Sequence, residues 1–213
     1  MIRVLLADDH AVVRTGFRLL LQTQSDVSVV GEAASGEAAC QLYTELVPDV
    51  LVLDLAMPGM GGLETLKRIR AKHAQARVLA LSAHDDPVHA RRALQEGALG
   101  FLSKRSAPET LLEAVTIVAA GWRFIDASLA QKLALAEVEG AGKSPVERLS
   151  EREFDVFMRL AQGATVQKIA EDLKISASTV GTHLYNIKQK LGAQNAAELT
   201  LIALRAGLLS EGM

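Results

Sequence analysis

The sequence is poor in cysteine and in long apolar runs. Its one cysteine, Cys40, cannot form a disulfide within the chain, so we expect a reducing compartment such as the cytoplasm. No run approaches the roughly 18 apolar residues that a membrane-spanning helix needs. The first residues lead from a short apolar stretch directly into acids, unlike a secretion signal. These absences predict a cytoplasmic protein with no membrane partner.

The chain also has little net charge. Its net charge is −2, and residues 145–213 alone carry eight Lys and Arg residues against eight Asp and Glu residues. A nucleic-acid-binding surface would therefore have to be a local patch rather than a property of a whole domain. Apolar residues make up 49% of the 213 positions, which is enough for one large or two modest domains.

Short apolar segments alternate with helical patterns through the first 120 residues. The predicted strands are 2–7, 27–32, 50–53, 77–82 and 99–103. The predicted helices are 10–23, 35–46, 61–72, 87–96 and 108–120. Because the strands are apolar without alternation, we expect them to be buried on both faces. The pattern predicts a doubly wound α/β domain with a five-stranded parallel sheet in the flavodoxin-like order 2-1-3-4-5.

The remaining residues contain helical patterns without strands. A helix is predicted at 127–137, and the glycine-rich residues 139–145 predict a flexible linker. Four short helices follow at about 150–161, 165–173, 176–190 and 195–207. They predict a small all-α domain that contains a helix-turn-helix. We therefore divide the chain into an α/β domain at 1–121, a connecting helix and linker at 122–146, and a helical domain at 147–213.

Charged side chains follow three of the predicted strands. Asp8 and Asp9 come after the first strand, Asp54 after the third, and Lys104 after the fifth. In an open parallel sheet, ligands bind beyond the carboxyl ends of the strands. Three carboxylates and one ammonium at this edge predict a Mg²⁺ and phosphoryl site. Asp54, on the middle strand, is the natural nucleophile and would form an aspartyl phosphate.

These residues resemble a known family. Residues 1–120 resemble a response-regulator receiver domain, and the matching positions are Asp8, Asp9, Asp54, Met57-Pro58-Gly59, Ser82 and Lys104. The helical region resembles a LuxR-type helix-turn-helix. Its matching positions are 149–153 (Leu-Ser-Glu-Arg-Glu), Ile169, Ala170, Leu173, Ser176, Thr179, Val180, His183, Ile187 and 190–192 (Lys-Leu-Gly). Together they resemble the NarL/FixJ class of two-component regulators, and residues 124–135 resemble its GacA/UvrY subgroup.

The resemblance implies a cofactor, a kinase and roles for the receiver residues. A sensor histidine kinase would phosphorylate Asp54 with Mg²⁺ as cofactor. Asp9 and Asp54 would each give the ion one carboxylate oxygen, Ala56 its backbone carbonyl, and Asp8 would hold a metal-bound water. Lys104 would pair with Asp54 in the empty site and with a phosphoryl oxygen in the loaded one. The receiver would catalyse only its own phosphoryl transfer and dephosphorylation, so the protein is not expected to be an enzyme.

The resemblance also implies a switch. Ser82 would donate a hydrogen bond to the phosphoryl group, and Phe101 stands at the aromatic switch position. Phe101 would rotate into the space that Ser82 leaves, or alternatively face the same surroundings in both states. Ala56 and His84 occupy positions that tune the phosphate lifetime in this family. The changed surface would favour a homodimer.

The third predicted helix of the C-terminal domain has two faces. The core face is predicted to contain Val180, Leu184, Ile187 and Leu191. The opposite face would enter the major groove of double-stranded promoter DNA, and it contains Ser178, Thr182, Tyr185, Asn186 and Gln189. Asn186 or Gln189 would read adenine, and Thr182 a thymine methyl. The predicted phosphate contacts are Lys168, Thr179, Lys188 and Lys190.

Gly181 departs from the family pattern, which has Lys directly after Thr-Val. A glycine inside a helix costs about 1 kcal/mol relative to alanine, and here a cation is also lost from the groove edge. We therefore expect weak binding by the monomer or a different DNA site. A dimer would add a second half-site. Leu199, Ile202 and Leu204 are either core residues or part of the dimer interface.

Three alternatives use the same residues differently. A haloacid-dehalogenase-like phosphatase would need two Asp residues separated by one position after the first strand, but Asp8 and Asp9 are adjacent. A flavodoxin-like binding module would need a hydroxyl- and glycine-rich loop where this chain has acids. A receiver that serves only as a phosphorylation-independent platform for protein binding remains the third alternative.

Overall fold

A computed structural model describes residues 1–83, 87–138, 145–206, 208 and 209 of the chain, with the backbone alone at 136–138 and 147. The chain forms two compact units, Met1–Gly140 and Ala141–Met213. Two sequence predictions lie outside the described residues: the position of His84 and nearly all of the linker at 139–145.

The first unit alternates strands and helices in the predicted order. Its strands are β1 (Ile2–Ala7), β2 (Val27–Ala33), β3 (Val50–Asp54), β4 (Val78–Ser82), β5 (Gly100–Ser103) and β6 (Phe124–Ile125). Its helices are α1 (Ala11–Leu21), α2 (Gly36–Leu46), α3 (Gly62–Lys72), α4 (Pro87–Gln95), α5 (Pro108–Ala119) and α6 (Ala127–Val138). Local chemistry sets several of these boundaries. The Ser35 hydroxyl caps α2 by accepting a hydrogen bond from the Ala38 N–H at 3.2 Å.

The strands form one parallel sheet in the order β2-β1-β3-β4-β5-β6. The doubly wound fold predicted from the sequence is therefore confirmed, and β6 extends it by one strand. The prediction had placed Phe124 and Ile125 in the connecting segment, because two residues are too few to show a strand pattern. A Cβ at Gly100 would lie 3.2 Å from the Phe124 carbonyl oxygen. The absence of a side chain at Gly100 therefore lets β6 approach β5 closely.

Helices cover both faces of the sheet and bury its central strands. All five residues of β3 are buried, from Val50 to Asp54. One core lies under α2, α3 and α4, and a second core lies under α1 and α5. The predicted connecting helix, α6, also packs on the first unit, because Leu129 is buried in its core and Leu133 packs against it. Burying each leucine side chain contributes about 1.5–3 kcal/mol, so α6 is held to the sheet domain by its apolar side.

The second unit is helical throughout its described residues. A short 3₁₀ helix, Pro145–Arg148, precedes α7 (Glu151–Ala161), α8 (Val166–Leu173), α9 (Ala177–Leu191) and α10 (Ala196–Arg205). A capping box begins α7: the Glu153 N–H donates to the Ser150 hydroxyl at 3.3 Å, and the Ser150 N–H donates to the Glu153 carboxylate at 2.7 Å. The Thr165 and Ser176 hydroxyls cap α8 and α9 by accepting hydrogen bonds from the Lys168 N–H and the Thr179 N–H.

The core of the second unit contains residues from every helix. Phe154 and Phe157 of α7 lie at its centre, with ring centroids 6.1 Å apart. Val180 and Ile187 of α9 are fully buried, and Leu184 and Leu191 pack beside them, as the predicted stripe requires. Leu199 is fully buried and Ile202 packs against the core. Of the last helix's three candidate interface residues, these two therefore contribute to the domain core.

Candidate functional site

The carboxyl edge of the first unit's sheet brings the predicted charged residues together. Asp8 follows β1, Asp54 ends β3, and Lys104 follows β5. The Lys104 Nζ lies 2.7 Å from Asp8 Oδ2 and 2.7 Å from Asp54 Oδ2. One ammonium thus bridges carboxylates that are 46 residues apart in the chain. This arrangement depends on the strand order, since β1, β3 and β5 must present their ends on the same side.

The site is largely removed from solvent. Asp54 is fully buried, Asp8 is buried, and the Lys104 side chain is only 15% exposed. The second carboxylate oxygen of Asp54, Oδ1, accepts a hydrogen bond from the Ala56 N–H at 3.0 Å. Charges that are both buried and close interact much more strongly than charges in water. The site is therefore held by its own ion pairs and is sensitive to any added charge.

The pKa values of this site reflect the competition between burial and charge. Burial raises the pKa of Asp54 to about 6, although the Lys104 ammonium lowers it; the neighbouring Asp8 carboxylate raises it further. Burial acts to lower the pKa of Lys104, but Asp54 and Asp8 outweigh that effect and raise it above its ordinary value. At neutral pH Asp54 is therefore mostly ionised, which is the form a nucleophile needs.

A fourth side chain joins the acids and was not singled out from the sequence. His10 Nδ1 lies 2.9 Å from Asp9 Oδ1 and 3.5 Å from Asp8 Oδ1. Donor atoms of Asp8, Asp9, His10 and Asp54 all lie within 4.8 Å of one another. The carboxylate-rich donor set fits Mg²⁺, which prefers oxygen ligands. The signal in the sequence was the position of His10, directly after Asp9 at the end of a strand.

The predicted switch residues lie at the ends of neighbouring strands. Ser82 ends β4 and is fully buried, and Phe101 lies in β5 and is fully buried in the core. β4 and β5 pair so that Ser82 lies beside Ser103, one residue before Lys104. Phe101 thus occupies the inward, core-facing position in this structure.

Four of the five residues predicted to face the groove are exposed on α9. Ser178, Thr182 and Gln189 are exposed, Tyr185 is 64% exposed, and Asn186 is half-buried. Gly181 is also exposed, and a Cβ built there would meet nothing within 4 Å. No feature of the described fold therefore requires a glycine at that position.

The cations predicted to bind phosphates all have partners within the second unit. Lys168 Nζ lies 2.9 Å from Asp172, whose carboxylate also lies 3.1 Å from Arg159. Lys190 Nζ lies 2.5 Å from Glu153, and Lys188 Nζ donates to the Gln194 carbonyl at 3.0 Å. The Thr179 hydroxyl lies 2.8 Å from that of Ser176.

Comparison with known proteins assigns both units. A family model described as response regulator receiver domain matches residues 4–116, and one described as bacterial regulatory proteins, luxR family, matches residues 147–203. Response regulator UvrY of Escherichia coli K12 is 38% identical over 209 residues, which cover 98% of this chain and 96% of the relative.

Two solved structures of RcsB are also similar. RcsB from Salmonella enterica serovar Typhimurium, bound to promoter rprA with the phosphomimetic BeF₃⁻, is 28% identical, with 94% of this chain and 97% of that chain covered and a TM-score of 0.61. A structure of two RcsB dimers bound to two parallel DNAs is 28% identical, with 96% and 98% covered and a TM-score of 0.59.

The fold and these matches define a receiver domain joined to a LuxR-type DNA-binding domain. The chain belongs to the NarL/FixJ family of two-component response regulators and is a transcriptional regulator; its close relatives are the UvrY and GacA response regulators. These relatives are regulators rather than enzymes in the usual sense. Through the described ranges of the chain, every helix is too short or too polar to cross a membrane.

Proposed function

We propose that a sensor histidine kinase phosphorylates Asp54 of this regulator in a Mg²⁺-dependent reaction, and that phosphorylation promotes dimerisation and promoter binding. The observation that carries the proposal is the Lys104 ammonium, held at 2.7 Å from both Asp54 and Asp8 at the carboxyl edge of the sheet. A buried carboxylate beside a lysine ammonium has a ready counter-charge for an incoming phosphoryl group.

The donor set suits the cofactor. Asp9 and Asp54 would hold Mg²⁺ through carboxylate oxygens, Ala56 through its backbone carbonyl, and Asp8 through a bound water. When bound, the ion supplies positive charge that neutralises the carboxylates and orients the phosphoryl group. The Ala56 N–H contacts Oδ1 of Asp54 and the Lys104 ammonium lies 2.7 Å from Oδ2, so attack by Oδ2 would require Lys104 to move toward the phosphoryl group.

The phosphoryl transfer uses the chain's own residues in defined roles. A carboxylate oxygen of Asp54 forms a bond to phosphorus while the N–P bond of the kinase phosphohistidine breaks and its electron pair returns to the imidazole. Lys104 then exchanges its contact with Asp54 for one with a phosphoryl oxygen. The modification adds about −1.5 to −2 charge at Asp54, which a buried site must compensate with donors.

Ser82 and Phe101 would convert that charge into a change of surface. The Ser82 hydroxyl donates to the phosphoryl group and draws the end of β4 inward. Phe101 is fully buried now, so its movement requires space that a displaced Ser82 would provide. The phosphate lifetime is tuned by Ala56 and His84 in this proposal.

The phosphorylated dimer would read promoter DNA with α9. The exposed Ser178, Thr182, Tyr185 and Gln189, with Asn186, would enter the major groove. Gly181 would lie at the groove edge, and the proposed phosphate contacts are Lys168, Thr179, Lys188 and Lys190. The similar RcsB structures contain promoter DNA, BeF₃⁻ and dimers, and they support this arrangement by analogy.

The test measures assembly and DNA binding in the full chain. BeF₃⁻ with Mg²⁺ replaces the phosphoryl group, sedimentation velocity reports dimerisation, and fluorescence anisotropy reports binding to a promoter fragment. We expect both to increase in the wild type and in Asp26→Asn, an exposed control, but not in Asp54→Ala. If BeF₃⁻ changes neither assembly nor DNA binding in the wild type, a phosphorylation-independent platform becomes the better explanation.

A further inference from the structure

We propose that His10 is a nitrogen ligand of the receiver's cation site, so that the site accepts Zn²⁺ and similar transition-metal dications more tightly than carboxylates alone would allow. This inference rests on the proposed cation site and adds a residue and a class of ion to it. It arises from the position of the imidazole, which contacts Asp8 and Asp9 and has a donor atom within 4.8 Å of Asp54.

The imidazole is within reach of the same ion as the acids. His10 Nδ1 lies 2.9 Å from Asp9 Oδ1, and the four candidate donors span at most 4.8 Å. Bonds from nitrogen or oxygen to Zn²⁺ are about 2.0–2.2 Å, so two ligands of a tetrahedral Zn²⁺ site lie roughly 3.3–3.6 Å apart. Small rotations of these side chains would therefore be enough to bring them to a single ion.

The backbone holds His10 at this place while its ring remains accessible. The His10 N–H donates to Asp8 Oδ1 at 2.8 Å, which ties the residue to the end of β1. The side chain is 57% exposed, so the ring is not committed to the core. Asp8 thus divides its two oxygens: Oδ2 contacts Lys104, and Oδ1 faces His10.

The charge balance favours a divalent ion at this position. Three carboxylates and one lysine ammonium leave two negative charges when all are ionised. A dication neutralises them, and a neutral imidazole adds a donor without adding charge. Imidazole suits Zn²⁺ and Ni²⁺, whereas Mg²⁺ prefers oxygen and water. His10 should therefore shift the preference between the two classes of ion rather than strengthen both equally.

Calorimetry with each ion separates this role from a general electrostatic one. Full-length wild type, His10→Ala and His73→Ala are titrated with ZnCl₂ and, separately, with MgCl₂. His73 is the matched control, because it ends α3 and contacts Tyr43 and Thr44 instead of the acids. We expect His10→Ala to weaken Zn²⁺ binding about tenfold or more and to change Mg²⁺ binding less than twofold, whereas His73→Ala changes neither.

Imidazole ¹⁵N spectra give a second measurement that does not depend on affinity. The Nδ1 resonance of His10 is assigned by its absence from the spectrum of His10→Ala. Zn²⁺ should shift this resonance, and Mg²⁺ should leave it unchanged. An unchanged Zn²⁺ affinity in His10→Ala, or an equal loss for both ions, overturns the inference. The proposed function fails separately, if the wild type binds neither ion.

Discussion

Lysines in the two units are paired with acids in opposite settings. Lys104 is mostly buried between two buried carboxylates, whereas Lys168 is 62% exposed and pairs with a partly exposed Asp172. A buried pair that loses one partner leaves an uncompensated charge in a poor solvent, but an exposed pair exchanges its partner for water at little cost. A lysine–carboxylate pair is therefore costly to break where it is buried and replaceable where it is exposed.

Lys190 falls between these two extremes. Its partner Glu153 is only 6% exposed and also completes the capping box of α7. Burial acts to raise the pKa of Glu153, but hydrogen bonds from Lys190 and Ser150 lower it below its ordinary value. The Lys190–Glu153 pair therefore joins the end of α9 to the start of α7. A DNA phosphate that binds Lys190 must compete with this buried carboxylate.

The largest expected effect is at the buried lysine. Lys104→Met leaves Asp8 and Asp54 unpaired, and we expect it to destabilise the first unit by about 3–5 kcal/mol near neutral pH. Urea unfolding followed by fluorescence of Trp122, the only tryptophan, measures this. Lys67→Met, which removes an exposed pair with Glu96, is the control and should have little effect. A loss below 1 kcal/mol in Lys104→Met would contradict the comparison.

The next effect concerns pH. Because the pKa of Asp54 is raised from 3.8 to about 6, its stabilising contribution is complete below about pH 4 and is lost as the pH rises through about 6. Asp54→Asn mimics the protonated form of Asp54. We therefore expect its free energy of unfolding to exceed that of the wild type by roughly 2–3 kcal/mol at pH 7.5 and to equal it near pH 4. Urea unfolding across this range, without divalent ions, measures the difference. A pH-independent gap would show that Asp54 is not the titrating group.

A smaller effect on stability is expected at Gly181 of α9, where a lysine can be introduced. A side chain at position 181 meets open space, so Gly181→Ala should stabilise α9 by about 1 kcal/mol with little change in DNA affinity. Gly181→Lys should be similarly stable and should bind promoter DNA more tightly. Thermal unfolding and anisotropy titrations of both variants separate helix propensity from charge. If Gly181→Ala also binds DNA as tightly as Gly181→Lys, helix propensity rather than the lysine charge would explain the higher affinity.

The smallest effect on stability is expected at the exposed lysine. Lys168→Met should leave the unfolding curve unchanged, since its pair with Asp172 is solvent-exposed. Its DNA affinity should nevertheless fall, and the slope of log K against log salt should decrease in magnitude by about one. Lys67→Met, in the receiver domain, is the control and should change neither the DNA affinity nor the salt slope. An unchanged salt slope in Lys168→Met would remove Lys168 from the proposed phosphate contacts.

Much of the secondary structure could be predicted because its causes are local. Ser35, Thr165 and Ser176 each accept a hydrogen bond from a backbone N–H three residues later, so a short window of sequence contains the whole interaction. The apolar strand β3 was recognisable for a similar reason, because burial on both faces leaves no polar alternation. Parallel strands present their carboxyl ends at the same edge of the sheet, so the acids at the strand ends could be predicted to form one site.

Other features depend on contacts between distant segments. β6 pairs with β5 beside Gly100, where an added Cβ would crowd the Phe124 carbonyl. α6 packs on the first unit through Leu129. Neither segment has a sequence pattern that indicates which element it packs against. Leu199 was likewise open between the domain core and a dimer interface until packing placed it in the core of the second unit. Burial depends on what surrounds a side chain, which periodicity alone does not specify.

The sequence by itself determined the order of elements, the two kinds of domain and the set of acids and lysine at the strand ends, since periodicity, capping and strand-end position are written in neighbouring residues. Only the tertiary structure decided that Lys104 also contacts Asp8, that His10 turns toward the acids, and that Lys168 and Lys190 are already paired. These contacts depend on distances of a few ångströms between side chains, and those distances arise when the chain packs.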